Sequence, residues 1–157
     1  MMEKIGWLSD SVLVTDSETD IFKVHSNFIN LLRDAKEIRG VSSIFVPEFS
    51  SLFEELILKK KVDVHLVLKK EVQEKIDKEI LKEIFSIKGS KFNLYILEEN
   101  IKAAFTVTDY FFSIGFVRMD GTYDYSNDLI SYSKKAIAWG YELFEYYVKL
   151  SKRVTSL

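Results

Sequence analysis

The chain has 157 residues, 47 % hydrophobic and 14 % aromatic, with a formal net charge of −2 and a sequence pI of about 5.8. That length fits one domain with a substantial core, and the composition excludes a disordered chain. The balance of charge lacks the basic excess of a nucleic-acid surface, so DNA contact by this chain itself is not expected. There is no Cys, which excludes disulfides and thiolate metal sites.

No apolar run approaches the ~20 residues of a membrane span. The N-terminus carries Glu3 and Asp10 and lacks the apolar core of a signal peptide. A cytoplasmic protein with no membrane partner is the expectation. The doubled Met1-Met2 fits a cloning start, in which case upstream sequence has been removed. With one Pro, six dispersed Gly and no repeat or linker, residues 1–157 are read as a single unit.

In chain order, residues 1–10 form a short helical or irregular lead-in. Ser11 to Thr15 can form a short strand. A helix is predicted from about Asp20 to Ile38, with Ile21, Phe28, Leu32 and Ala35 at helical spacing and Ser17 or Thr19 ahead of it as caps. Gly40 opens a short buried strand that Pro47 stops, and Pro47 suits the first turn of a helix running from Glu48 to Lys60. Val62 to Leu68 alternates as a strand. Lys69 to Phe85 reads as one amphipathic helix, with Glu71–Lys75 and Glu74–Lys78 in the favourable order, ended by Gly89 and Ser90. Phe92 to Leu97, Lys102 to Thr108 and Tyr110 to Met119 read as strands, with Asp120-Gly121 as a tight turn. A polar elbow, Asp124 to Ser131, then leads to a helix from Lys134 to about Arg153, capped by Ser133. Strands alternating with helices predict an α/β fold with a mixed, mainly parallel sheet flanked by helices and an antiparallel portion at one edge.

The chemistry-bearing residues are sparse. His25 falls on the apolar face of the first helix and reads as a core or rim residue. His65 points away from the Val64/Leu66 side of its strand. Two His without Cys make a zinc site improbable. No nucleophile elbow, dinucleotide-binding glycine pattern or phosphate loop occurs. Asp120, Asp124 and Asp128 recur every four residues but lack the pattern of a calcium loop, so turn chemistry is the favoured reading over a metal. Lys59 to Lys61 and Lys69-Lys70 read as a solvated rim. The last helix carries two apolar lines, Ile137/Tyr141/Phe144/Val148 and Ala136/Trp139/Leu143/Tyr146/Leu150. One should meet the sheet. The other needs cover from the same chain, a second subunit or a missing domain.

Five segments carry a resemblance: GVSSIFVPEF (Gly40 to Phe49), VTDYFFSIG (Val107 to Gly115), DGTYD (Asp120 to Asp124), DLIS (Asp128 to Ser131) and WGYELFEYY (Trp139 to Tyr147). In this order and spacing, across about Ile21 to Tyr147, the chain resembles the C-terminal regulatory domain of archaeal winged helix-turn-helix transcription regulators. The type is the methanogenesis-regulatory, FilR-like one. The family pattern often has Pro at the position of Ser43 and His at that of Val46, so this member departs from it there. The chain also looks like a distant half of the phospholipase D architecture, whose signature is His-x-Lys, four residues, then Asp. With the Asp placed on Asp109, Lys102 stands at the His position and Ala104 at the Lys position. A phosphohistidine route needs that His, so the resemblance implies a binding cleft without catalytic residues.

The resemblance therefore implies an effector-sensing and dimerising domain. It would reach DNA only through an N-terminal domain absent from this chain, with a homodimer formed through the C-terminal helix and no cofactor or metal. The unidentified small-molecule effector would enter a cleft at strand ends and motif positions: Phe45, Pro47, Glu48, Thr108, Asp109, Asp124, Asp128 and Ser131. Structural capping competes with ligand contact for Asp109 and Asp128. Two other readings stay open. One is a phosphodiester hydrolase of phospholipase D-like type, and the other is a ligand-free dimerisation module.

Overall fold

A computed structural model describes residues 2–155. Eight strands form one sheet: β1 (Val12–Thr15), β2 (Glu37–Ser42), β3 (Asp63–Lys69), β4 (Asn93–Leu97), β5 (Ala104–Thr108), β6 (Phe112–Val117), β7 (Tyr123–Ser131) and β8 (Lys152–Val154), in the order β1-β7-β6-β5-β2-β3-β4-β8. The helices are α1 (Lys23–Arg33), α2 (Pro47–Glu54), α3 (Lys70–Glu74), α4 (Lys78–Ser86) and α5 (Lys134–Lys149). A 3-10 helix, Met2–Leu8, precedes them, and a π-helical turn, Glu55–Lys59, continues α2.

The fold is α/β with a mixed sheet, as expected, but the sheet is mostly antiparallel rather than mainly parallel. Only β2–β3 and β3–β4 run parallel. The pairs β1–β7, β2–β5, β4–β8, β5–β6 and β6–β7 are all antiparallel. A parallel pair needs a crossover of a dozen or more residues. The segments before β3 and β4 supply helical crossovers. From β5 to β7 the connections are tight turns, which return each strand against its neighbour. The segment from Asp124 to Ser131, expected as an elbow, is most of β7, the longest strand. Its polar residues hid it: Asp124 accepts hydrogen bonds from Ser126 and Asn127 within the strand itself.

Three helix boundaries also differ. The first helix stops at Arg33, and Ile38 is in β2. Its stop follows from Asp109, whose Oδ1 accepts from the Lys36 and Glu37 backbone N–H groups at 2.9 and 3.4 Å and draws the chain into the sheet. The helix expected from Lys69 to Phe85 breaks at Asp77, which caps α4 by accepting from Glu79 N at 2.8 Å. The last helix ends at Lys149, and Lys152–Val154 pairs with β4. Pro47 opens α2 and Ser133 caps α5, accepting from Ala136 N at 3.1 Å.

The sheet has two unlike faces. On one, Val41, Val67, Phe105, Val107 and Phe112 pack beneath Ala136, Trp139 and Phe144 of α5. The approach is close: a Cβ on Gly140 would stand 2.8 Å from Val107 Cγ2. Trp7 and Leu8 of the 3-10 helix pack against the same cluster, and Lys4 bonds Glu142 at 2.6 Å. Both apolar lines of α5 are thus largely covered by the chain itself, leaving Tyr146 and Leu150 exposed. On the other face, Leu32, Leu56, Ile57, Leu81 and Ile84 from the helices cover Ile38, Val64, Leu66 and Leu94.

Candidate functional site

On the second face the covering helices stand off the sheet and enclose a cavity of about 570 Å³. The strands that floor it alternate large and small residues. In β5, Phe105 and Val107 go to α5 while Ala104 and Thr106 go to the cavity. In β6, Phe112 and Ile114 go to α5 while Ser113 and Gly115 go to the cavity, and in β2 Val41 packs under α5 between Gly40 and Ser42. Register confirms one surface: Leu66, Gly40, Thr106, Ser113 and Ile130 lie in one row across β3, β2, β5, β6 and β7. Alternation by side-chain volume, with period two, leaves a hollow on one face and a packed core on the other.

The walls come from α1, α2 and the loops that lead into them. Phe22, Phe28, Phe45, Phe49 and Phe53 give an aromatic wall, and His25 stacks on Phe49 with centroids 5.2 Å apart and planes 7° apart. Beyond Leu66 and Leu68, Ile76, Ile80 and Ile84 close the apolar end under α3 and α4.

The opposite end is polar. Asp128, only 5 % exposed, accepts a hydrogen bond from Ser113 Oγ at 2.6 Å. Burial pushes its carboxyl up to about 6, against the Ser113 and Leu129 hydrogen bonds that act the other way. Tyr123 stands beside it. Burial, then the nearby Asp128 charge, raises the Tyr123 phenol. The Tyr123 ring lies directly over Gly115, where a Cβ would fall 2.0 Å from its hydroxyl oxygen. Any side chain at that position would have to displace the ring.

The expected site residues divide into two groups. Phe45, Pro47, Glu48 and Asp128 line the cavity. Thr108, Asp109, Asp124 and Ser131 do not. Because β5 runs antiparallel to β2, Ala104 pairs with Ser42 at the cavity end, while Thr108 pairs with Ile38 at the far end. There Thr108 Oγ1 accepts from the Tyr110 and Phe111 N–H groups at 3.2 and 3.1 Å, and Asp109 holds β2. Asp124 organises the irregularity opposite Gly115 and Phe116. It accepts from Ser126 N and Oγ at 3.0 and 2.7 Å and from Asn127 Nδ2 at 2.7 Å. Those side-chain hydrogen bonds hold its carboxyl down at about 2. Ser131 Oγ accepts from Ser133 N at 3.2 Å at the start of α5.

Asp120, Asp124 and Asp128 do not converge: Asp120 accepts from Thr122 N and Oγ1 in the turn at 2.9 and 2.7 Å. Among the described residues no group of three or more His, Asp or Glu is placed to hold a metal ion, and no helix is long and apolar enough to cross a membrane. The cavity also has lining residues that the sequence did not single out as site candidates: His25, Thr106, Ser113 and Tyr123. The signal that could have found them is the small-residue alternation in Ala104–Thr106 and Ser113–Gly115.

Neither the phosphodiester-transfer residues nor a substitute for them gathers here. Ala104 faces the cavity, while Lys102 Nζ lies near the hairpin tip, 3.3 Å from where a Cβ on Gly121 would stand. His65 belongs to the α5 side of β3. It sits 3.0 Å from Asp63 Oδ1 and 2.9 Å from Asn93 Nδ2, beside the Arg39–Asp63 pair at 2.9 Å. Burial, then the Arg39 charge, lowers its pKa.

This architecture is the phospholipase D-like one. The chain superposes on Nuc from Salmonella typhimurium, a phospholipase D family member, with TM-score 0.62 and 14 % identity, covering 93 % of this chain and 98 % of that one. It superposes on NucT from Helicobacter pylori with TM-score 0.66 and 9 % identity, covering 92 % and 98 %. TrmBL2, an archaeal chromatin protein whose structure shows a novel mode of DNA binding, matches with TM-score 0.68 and 15 % identity over 91 % of this chain and 53 % of that one. At these identities the likeness is one of fold.

Residues 21–150 match the family of the methanogenesis regulatory protein FilR1, middle domain, and the chain belongs to that family. It is 27 % identical over 159 residues to the methanogenesis regulatory protein FilR1 of Methanothrix harundinacea (strain 6Ac). That alignment covers 98 % of this chain and 35 % of the relative, so the chain spans about a third of that protein's length. The family is that of an archaeal transcription regulator.

Proposed function

We propose that this chain is the effector-sensing domain of an archaeal transcription regulator, and that it binds a small molecule in the cavity between the sheet and α1–α2. The observation that carries the reading is the cavity itself. It has about 570 Å³ in a well-packed domain, with aromatic walls and a few convergent polar groups at one end, which is the usual anatomy of a small-molecule site. Membership of a regulatory family supports sensing over turnover, and so do Lys102 and Ala104 at the positions where phosphodiester transfer needs His and Lys. The revised binding set is Phe45, Pro47, Glu48 and Asp128, joined by His25, Thr106, Ser113 and Tyr123. DNA contact is assigned to another domain of the regulator.

Binding regulates only if it favours one arrangement of the regulator over another. The homodimer expected through α5 belongs to this proposal, and Tyr146 and Leu150 are the apolar residues that the helix offers to it. Sedimentation of the chain tests it, and a monomer at all concentrations would remove α5 as the route between subunits.

Native mass spectrometry of the protein from its source cells tests the sensing function. The expected result is a retained small molecule, released on unfolding. A mass equal to that of the bare chain, with no thermal shift across a broad metabolite panel, would leave the ligand-free dimerisation module as the better reading. Turnover of phosphodiesters by the purified chain would restore the hydrolase reading.

A further inference from the structure

The carboxylates that line the cavity, Asp16, Glu48, Glu54 and Asp128, face no Lys or Arg, and His25 is the other titratable side chain besides the tyrosines among the described lining residues. Asp16 is already engaged, accepting from Val24 N at 2.8 Å near the start of α1. Asp128 is different. It lies 5 % exposed on the floor, and its side-chain partner among the described residues is the uncharged Ser113, on one oxygen. A buried carboxylate without a cation is costly, and here burial has already pushed its pKa up to about 6. A cation placed beside it would relieve that cost. Tyr123 and Tyr125, packed edge to face with centroids 4.9 Å apart, line the same end, and aromatic side chains are compatible with a cation.

Toward β3 and α4 the cavity is lined by the aliphatic side chains of Leu66, Leu68, Ile80 and Ile84. From β7 to β3 the sheet order takes four strand steps, roughly 19 Å at the usual strand spacing. The cavity is therefore elongated, with a carboxylate at one end and aliphatic side chains at the other.

We infer that the effector is an elongated apolar molecule ending in a protonated amine or similar cationic donor, with the cationic head on Asp128 and Ser113 and the tail under α4. This rests on the reading of the cavity as the effector site. It disfavours phosphate esters and carboxylates as effectors, because the acidic lining groups would oppose them and no Lys or Arg among the described lining residues would receive them.

Calorimetric titration of this chain at neutral pH with phenylbutylamine, phenylbutanol and phenylbutyrate tests the inference. The three share one apolar body and differ in the head. The amine should bind roughly ten- to a hundredfold more tightly than the alcohol, the difference made by a charge-assisted hydrogen bond, and the carboxylate should bind most weakly. Asp128→Asn should abolish the preference for the amine, bringing the amine and alcohol affinities within about threefold of each other. Should that variant fail to fold, the ranking on the unaltered chain decides alone. Equal or tighter binding of the alcohol or carboxylate would overturn the cationic head while leaving the sensing function intact. Binding of none of the three would overturn the inference, and with an empty metabolite screen it would overturn the sensing function too.

Discussion

The two faces of the sheet are built from the same strands and do opposite things. Under α5, Phe105, Val107 and Phe112 fill the space so closely that the helix needs Gly140 to approach. One residue away along each strand, Ala104, Thr106, Ser113 and Gly115 are too small to reach the helices opposite, and the space stays open. The difference is one of volume more than of polarity. Close packing is the default state of a protein interior, so a hollow of this size has to be specified residue by residue, and the alternation specifies it.

That contrast is open to attack from several sides. The largest effect should come from the packed face. Phe112→Ala removes a side chain 1 % exposed that meets Trp139 edge-on, and it should cost about 3–5 kcal/mol in chemical denaturation. Ser113→Ala, its neighbour on the open face, should cost far less. Equal losses at the two positions would contradict the asymmetry.

Asp128 gives the next largest effect, visible in pH. Its folded pKa of about 6 lies above the ordinary 3.8. The raised value means that the protonated form is the one the fold prefers. Its stabilising contribution is therefore complete below about pH 4 and is lost as pH rises through about 6. Two pKa units correspond to at most roughly 3 kcal/mol. Asp128→Asn should flatten the stability profile between about pH 4 and pH 6.5, without affecting the lower-pH loss that Asp124, held at about 2, contributes in the opposite sense. An unchanged profile in thermal melts of the variant would show that the carboxyl is not desolvated.

Gly115→Ala should cost about 1–3 kcal/mol by displacing the Tyr123 ring. The loss should be smaller in a Tyr123→Ala background, because the two residues share one contact. Additive losses would mean that the ring does not lie over the glycine.

The smallest effect separates clamp from ligand contact. Asp109→Ala should lower stability by about 0.5–1.5 kcal/mol through the lost bonds to Lys36 and Glu37, with ligand affinity unchanged. A loss of affinity without a loss of stability would return Asp109 to the site.

Much of the fold was legible from pattern. The strands at Val62–Leu68 and Phe92–Leu97, the helix start at Pro47 and the Ser133 cap all followed from period and capping chemistry. The sheet's direction was not legible, because helix–strand alternation says nothing about strands returned by tight turns. The strand β7 was obscured by Tyr123, Asp124, Ser126 and Asn127, which read as loop residues until Asp124 is seen holding an irregularity in the ladder together. Of the eight residues expected from strand ends and motif positions, Phe45, Pro47, Glu48 and Asp128 line the cavity. Thr108 and Asp109 lie away from it because antiparallel pairing puts that end of β5 opposite the start of β2, and Asp124 and Ser131 because the expected elbow is the strand β7. His25 read as a core or rim residue of the first helix, and no local pattern tied it to Phe49, since their stacking depends on how α1 and α2 dock.

The most direct measurement is a crystal structure of the chain with phenylbutylamine. The account predicts ligand density between the sheet and α1–α2, with the amine nitrogen about 2.7–2.9 Å from an Asp128 carboxylate oxygen, as a charge-assisted hydrogen bond requires. Phe28, Phe45 and Phe49 collapsed onto Thr106 and Ser113, with the amine bound elsewhere or not at all, would contradict it.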